Sequence, residues 1–412
     1  SVSAGFARTD GFSAKSAGTE PDGYRQWQVS AKGRAALTEG LNLRANVRHA
    51  DNRLDIDLAG VNSPDVQFST ETTARAGLDY AGNDLELSGG FSLANVDREY
   101  VSGWGPSDYH GRSRRIDFGG RARLTSALSL TFGADSDWTE AESSFDPVQK
   151  ARLSSGHVLL GYTGQGVSLA AGARVDDHSQ FGSHWTFGAN GAVSLGSGWG
   201  LRASYGEGFK APTLYQLYGS FVGTPGLRPE ESKSYDAGIE LGDRNAPLHL
   251  AASVFRRDSR NLIDFDPALF IYGNIARARA EGFELEAGGK LGDSLRGWAT
   301  YTYVKSRDLV AGRDLARRPR NLLPLGADWE TPLHGLTLGA DLRVSSSAVE
   351  YDFLGTPSRL DGYGVLTLRA NLPVTEKIEL FGRIENVADE KYETSQGFGT
   401  AGRSAYIGAR AR

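Results

Sequence analysis

The sequence predicts an all-β protein, a transmembrane, antiparallel, up-and-down β-barrel. Three observations lead there. Apolar and polar residues alternate at period two along nearly all of the 412-residue chain, and helical periodicity is almost absent. The connections between alternating runs are short and long in turn, as in a meander with tight turns at one end and long loops at the other. Glycine reaches 53 residues, many of them inside the alternating runs, where the absence of a side chain suits curved or closely approaching strands.

The alternation resolves into about 20 strands of roughly 9–15 residues, longer than ordinary soluble strands. In order they include QWQVSAKGRAAL, LNLRANVRH, TTARAGLDY, LELSGGFSLANV, LSLTFGADSDW, GLRASYGEGF, LHLAASVFRRD, LRGWATYTYV, GVLTLRANL and IELFGRIENV. In the stretch GLTLGADLRV (335–344), Leu336, Leu338, Ala340, Leu342 and Val344 fall on one side, with Asp341 and Arg343 on the other. Nine such positions at about 3.3 Å each, tilted near 45°, cover most of a hydrocarbon layer. In a wide barrel the opposite face borders water, where charges are cheap. In the dry middle of a sandwich each charge needs a partner.

The short connections are turn-like: TEGL at 38, AGND at 81, TSAL at 125, TGQG at 163, GSGWG at 196, GDRNAP at 242, GDS at 292, TPLHG at 331 and VTEK at 374. The long polar loops fall at 9–24, 56–68, 97–111, 139–149, 176–184, 208–232, 258–270, 307–317, 346–361 and 387–402. Both chain ends are then expected on the short-turn side. Closure of the sheet pairs every backbone group, which lipid requires. A soluble propeller would show a fixed repeat, and none is present.

Composition narrows the function. The 45 basic and 50 acidic residues are spread through the chain, unlike the concentrated basic surface of a nucleic-acid binder. With no Cys there is no disulfide, thiolate nucleophile or Cys-ligated zinc. The chain opens at Ser1 and has no Met, so the lack of a signal peptide carries no weight. No Gly-x-Ser-x-Gly elbow or His-Glu-x-x-His pattern occurs. The glycines of GSGWG read as a turn, because no strand–loop–helix context surrounds them. An enzyme is not expected.

Three stretches carry a family resemblance. SYGEGFKAPTLYQLYGSFVGTPGLRPEESKSYDAGIE (204–240) resembles the TonB-dependent outer-membrane receptors. The matching residues are Lys210, Ala211, Pro212, Leu214, Leu217, Tyr218, Gly219, Leu227, Pro229, Glu230 and Ser232. The segment 384–412 resembles the receptors' last hairpin. ARVDDHSQFGSH (173–184) is similar to a loop of the cobalamin (vitamin B12) receptor subgroup. The resemblance implies a barrel of about 22 strands, of which about 20 are expected here. Residues 1–412 then form the barrel domain, without the family's N-terminal plug and first hairpin.

The resemblance also implies a function and a set of partners. The expected role is active uptake of a scarce, bulky ligand, foremost a cobalamin or other corrinoid. A ferric siderophore or haem receptor, or a plugless passive pore, is the alternative. The implied partners are outer-membrane lipid and lipopolysaccharide, the small ligand, and the TonB complex through the plug. No nucleic acid is expected, and the protein is expected to be a monomer in the bacterial outer membrane.

Candidate ligand contacts lie in the long loops: Tyr215, Tyr218 and Phe221, with Trp104 and Tyr109. For 208–232 the plainer reading is that Pro and Gly fix the loop's shape. Cobalamin receptors bind calcium through acidic loops, and Asp97, Asp108, Asp137 and Asp146, with Glu140, are the residues the resemblance offers for Ca2+. Calcium wants several hard oxygens. Asp176, Asp177, His178 and His184 form a weaker metal candidate, against a solvated loop as the plain reading. The seven Trp are expected mostly at strand ends, as an interfacial girdle. Arg123, Arg202, Arg277, Arg279, Arg343, Arg369 and Arg383 are expected on the water-facing side.

Overall fold

The computed structural model describes residues 1–411 except 267 and 353. The described residues form 23 strands and one short helix, with 21 strands in one sheet and two in a separate hairpin. Among the described residues no helix is long and apolar enough to cross a membrane.

The chain divides into two compact units. The first holds residues 1–191, 205–233 and 259–276. Its strands are β1 (Val2–Phe12), β2 (Asp22–Thr38), β3 (Leu41–Ile56), β4 (Asp65–Ala81), β5 (Leu85–Ser102), β6 (Gly105–Arg123), β7 (Leu128–Ser143), β8 (Gln149–Gly164) and β9 (Val167–His178). Each pairs antiparallel with the next. There follow β10 (Gly182–Gly196), β11 (Trp199–Lys210), α1 (Leu214–Tyr218), β12 (Glu230–Leu241), β13 (Leu248–Asp266) and β14 (Ile271–Lys290). These five strands have residues in both units.

The second unit continues with β15 (Leu295–Asp308), β16 (Arg313–Asp314), β17 (Asn321–Glu330), β18 (Thr337–Ser345), β19 (Ala348–Tyr351), β20 (Pro357–Leu360), β21 (Tyr363–Pro373), β22 (Ile378–Glu385) and β23 (Ser404–Ala411). Strands β14, β15, β17, β18, β21, β22 and β23 pair antiparallel in that order. The two-residue β16 adds to β15, and β19 and β20 form the separate hairpin.

The short turns lie where the sequence puts them. In the turn after β10, Gly196, Ser197 and Gly198 all have positive φ (84°, 51° and 82°), the conformation that makes glycine the fitting residue there. The long connections are shorter than expected. Residues 97–111 are almost wholly strand, with only residues 103 and 104 between β5 and β6. Likewise β9 and β10 are three residues apart, and β14 runs for 20 residues. The physical reason is that the hydrogen-bonded ladder continues past the apolar band, because each added residue pair satisfies its own backbone groups. Helix α1, inside the 208–232 loop, is also not legible in the alternation.

Register gives each unit an apolar and a polar face. Residues opposite one another share a face, so Phe91, Ile116, Phe118, Phe132, Val158 and Leu160 belong to one band. Phe91, Ile116, Phe118 and Leu160 are about half exposed (46%, 54%, 51% and 49%). So large a bare apolar surface needs an apolar surrounding. The other face carries crossed ion pairs: Arg75 with Asp117, Arg115 with Asp135 and Arg174 with Asp176. In the second unit Leu338, Ala340, Leu342 and Val344 form the apolar edge of β18, as expected. On its polar face Arg369 bridges Asp341 (2.6 Å) and Asp328 (3.1 Å).

Two expectations are corrected by register. Trp298 lies opposite Gly326, which lies opposite Asp341. It therefore belongs to the polar face, not to an interfacial girdle. Arg279 shares its face with Phe283 and Leu285, and Arg277 is two residues earlier on the same strand. Neither is on the polar face, whereas Arg343, Arg369 and Arg383 are.

The two faces should respond oppositely to charge. Val158→Arg, on the apolar face, is expected to cost roughly 2–4 kcal/mol, and Thr131→Arg, on the polar face, less than about 1 kcal/mol. Denaturant unfolding of the protein refolded into lipid vesicles measures both.

Candidate functional site

The strap from Lys210 to Glu230 is built from its own sequence. Pro212 leaves β11, and Thr213 caps α1: its Oγ1 accepts from the Gln216 N–H (3.2 Å), while the Thr213 N–H donates to Gln216 Oε1 (2.9 Å). This reciprocal pair satisfies two N–H groups that a helix start leaves free. Leu217 is almost fully buried (1% exposed), and Val222 and Leu227 are buried as well. At Gly219 a Cβ would sit 2.8 Å from the Tyr215 carbonyl oxygen, so only glycine closes the helix there.

Side chains then fasten the strap to strands on both sides. The Ser220 N–H donates to Asp146 Oδ1 (2.7 Å) and its hydroxyl to the Phe145 carbonyl (2.9 Å). Thr224 Oγ1 donates to the Tyr272 carbonyl (2.7 Å), and the Tyr272 N–H to the Val222 carbonyl (2.9 Å). The Arg228 N–H donates to Asn274 Oδ1 (2.9 Å), and Lys210 pairs with Glu230 (3.2 Å).

Between α1 and the polar face of β5–β8 lies a cavity of about 330 Å3. Arg98, Tyr109, Ser143, Gln149, Tyr215 and Tyr218 are among its lining residues. Tyr218 is fixed by its hydroxyl, which donates to Gln180 Oε1 (3.0 Å). Burial, aided by the neighbouring Tyr109, raises the Tyr215 phenol above its ordinary pKa; like any phenol it is a hydrogen-bond donor at neutral pH. The cavity offers aromatic faces, phenolic hydroxyls and one guanidinium, together with His110 and the Glu142 and Asp146 carboxylates, a set suited to a ligand with apolar faces and polar edges.

Of the five aromatic candidates, Tyr109, Tyr215 and Tyr218 therefore meet. Phe221 does not line the cavity; it packs edge-on against Phe145 (5.3 Å). Trp104 is 77% exposed in the two-residue link between β5 and β6, also outside the cavity. Arg98 and Gln149 were missed. Their only signal was their alternation phase, which places them on the same face as Tyr109.

The four aspartates offered for calcium do not assemble. Asp97 and Asp108 share one face of β5 and β6, and Asp137 lies on the other. Three of them have other work: Asp97 pairs with His110 (2.6 Å), Asp137 accepts from Ser113 Oγ (2.8 Å) and Asp146 anchors Ser220. The His178 group fails similarly. Asp176 and Asp177 lie on opposite faces, and Arg174 and Arg152 pair with them. His178 Nδ1 accepts from the Gln180 N–H, and His184 stacks on Phe209.

A different carboxylate group does converge. Glu20, Asp22 and Asp57 place one oxygen each within 4.8 Å of one another. Asn62 holds the first loop to the second by accepting from the Thr19 (2.7 Å) and Glu20 (3.2 Å) N–H groups. Asp57 is 8% exposed; its Oδ1 accepts from the Ser63 N–H (2.9 Å), but its buried Oδ2 has no partner, and neither has Glu20 Oε1. Burial, then the negative charge of Asp57, raises the Glu20 carboxyl above its usual range. Unpartnered buried oxygens beside like charges are costly, and a hard divalent cation would answer both. The donors are carboxylates only, which fits calcium rather than a soft metal.

In the second unit the segment after β22 is pinned by Asn386. Its Nδ2 donates to the Glu390 (2.9 Å) and Ala401 (3.2 Å) carbonyls, and its Oδ1 accepts from the Glu390 N–H (2.8 Å). The Asn-Val-x-Asp pattern at 386–389 thus encodes a loop shape.

A model of a family described as TonB dependent receptor-like, beta-barrel, matches residues 2–387. Solved structures share the fold at low identity. The ferric enterobactin receptor PfeA of Pseudomonas aeruginosa, in a double-mutant form, is 18% identical with a TM-score of 0.84, over 100% of this chain and 75% of that one. The copper transporter OprC is 15% identical with a TM-score of 0.86, over 100% and 75%. The FrpB iron transporter of Neisseria meningitidis is 13% identical with a TM-score of 0.83, over 100% and 77%.

Two outcomes are expected. Asp146→Ala removes the Ser220 anchor. Hydrogen bonds to a charged group are worth about 1.5–3 kcal/mol, so amide exchange at 220–223 should quicken by roughly ten- to a hundredfold. A chelator should lower the melting temperature of the wild-type protein and leave Asp57→Asn unchanged, as read by calorimetry with and without added calcium.

Proposed function

The chain belongs to the TonB-dependent receptor β-barrel family, and from that premise we propose that it forms the wall and outer vestibule of an active outer-membrane transporter for a corrinoid. The family places it in the bacterial outer membrane, with the apolar band against lipid and the polar face toward water. The observation that carries the ligand reading is the tyrosine-lined cavity under the 210–230 strap. Arg98, Tyr109, Tyr215 and Tyr218 there can take one edge of a large conjugated macrocycle with amide edges, through flat apolar contact and a few directed hydrogen bonds. The similarity of residues 173–184 to the cobalamin subgroup favours the same ligand.

Each group then has a part. The strap closes over the cavity and is held by Asp146 and Tyr272, so the ligand meets preformed walls. Glu20, Asp22 and Asp57 would hold calcium, which would supply positive charge between two outer loops and lock them together. Energy for release comes from the TonB complex acting through a plug. Lipid and lipopolysaccharide surround the outer face.

A ferric siderophore is the second reading. PfeA and FrpB are named for ferric enterobactin and for iron, and the same tyrosines suit an aromatic iron chelate.

Titration of cyanocobalamin and of a ferric catecholate onto the full-length receptor separates these. Corrinoid uptake predicts saturable binding of cyanocobalamin that weakens at least tenfold when a chelator is present or Tyr215 is changed to Ala. Saturable binding of the iron chelate alone would replace the corrinoid reading, and ligand-free ion conductance by the full-length protein would favour a passive pore.

A further inference from the structure

Arg277 and Arg279 stand on the apolar face, with Phe283 and Leu285, and neither the cavity nor the strap uses them. They have company at that level. Arg307 lies directly opposite Arg279, and Lys305 lies opposite Glu281. Like charges set opposite one another on a sheet repel. Asp258 answers Arg279 (2.7 Å) and Arg256 (2.8 Å) together, and Asp314 is shared by Arg307 (3.6 Å) and Arg320 (2.5 Å). Among the described residues no carboxylate lies within ion-pair reach of Arg277 or Lys305. This part of the face is therefore short of negative charge.

Toward the short turns the same strands change character. Phe283 and Tyr303 lie opposite one another and stack (5.7 Å, 27°), as aromatic residues do where hydrocarbon gives way to headgroups. Beneath them is a groove of about 450 Å3. Ala252, Ala287 and Ala299 line it, with Ala287 directly opposite Ala299, and Ile239, Leu250 and Leu285 stand beside them. Glu286, its charged lining residue, belongs by register to the polar face and pairs with Arg244 (2.8 Å). Arg279 is six residues from Leu285. At about 3.3 Å per residue and a tilt near 45°, it stands about 14 Å farther along the bilayer normal, close to the roughly 15 Å depth of one leaflet's hydrocarbon.

We infer that this strip of β13–β15 binds one phosphate-bearing lipid of the outer leaflet, with an acyl chain in the alanine-lined groove and its phosphates on Arg277, Arg279 and Lys305. A guanidinium takes a phosphate in a bidentate fork, and an apolar hollow facing lipid is filled by hydrocarbon more cheaply than by water. A second copy meeting this face across a two-fold axis would bring the same cations together, which repels. The inference rests on the outer-membrane placement and not on the identity of the transported ligand.

Native mass spectrometry of the full-length receptor in a zwitterionic detergent tests this, with diphosphorylated lipid A and phosphatidylcholine as probes. The wild type should hold one lipid A saturably, and phosphatidylcholine, whose choline cancels its charge, at least tenfold more weakly. Arg277→Gln and Lys305→Gln should each weaken lipid A about fivefold, the share of one cation beside an anionic lipid. Ala287→Leu fills the groove and should weaken it at least tenfold. Arg343→Gln, on the polar face, should change nothing. Arg277→Gln breaks no ion pair and should melt as the wild type does, which separates a lost contact from a lost fold. Lipid A binding that neither Arg277→Gln nor Ala287→Leu weakens, or equal retention of phosphatidylcholine, overturns the site and leaves the uptake reading intact. A dimer that Ala287→Leu dissociates would give the face to a second copy and overturn it likewise. If cyanocobalamin and the iron chelate both fail to bind while lipid A is held, the uptake reading falls and this site stands.

Discussion

The fold depends on a requirement of the backbone. A peptide N–H or C=O inside hydrocarbon has no water to bond, and leaving it unpaired costs several kcal/mol. In this chain consecutive strands answer with long antiparallel ladders, as in the 18 opposed pairs between β5 and β6. Once the ladder is fixed, side chains have two directions only. Phe91 and Ile116 then face an apolar surrounding, while Arg75 and Asp117 face the other way.

The same ladder explains where functional groups can be mounted. Because pairing does not stop at the edge of the apolar band, strands such as β6 and β7 carry Tyr109 and Ser143 outward on a rigid frame. The strap from 210 to 230 adds the missing wall. It is held by single side chains that reach across the sequence, Asp146 to Ser220 and Thr224 to Tyr272. Acidic residues therefore serve several ends here. Asp146 fixes a loop, Asp117 balances an arginine, and Asp57 keeps a buried oxygen without a partner. Counting carboxylates in a loop cannot distinguish these roles, since distance and direction decide between them.

Much of the frame was legible beforehand. The alternation in 335–344 gave β18 its two faces, and turn residues such as Gly196 and Gly198 marked the hairpin ends. Tyr109, Tyr215 and Tyr218 were legible as candidates because aromatic residues in polar connections stand out. Phe221 and Trp104 stood out equally, yet one packs on Phe145 and the other is simply exposed. The aspartates at 97, 108 and 137 were close in loop number, but period two placed Asp137 on the face opposite Asp97 and Asp108. Trp298 was misplaced for the related reason that nearness to a strand end does not say which way a residue points.

What the sequence by itself determined is whatever repeats every two residues or closes within a few: the all-β class, the two-sidedness of each strand and the tight turns. Only the tertiary structure decided which distant residues meet. Glu20 and Asp57 are 37 positions apart, and Tyr215 and Tyr272 are 57 apart, yet each pair stands together. The physical reason is that local preference acts over one or two peptide units, whereas these meetings depend on the register of several strands and on the path of a strap, and a single residue's slip in either would part them.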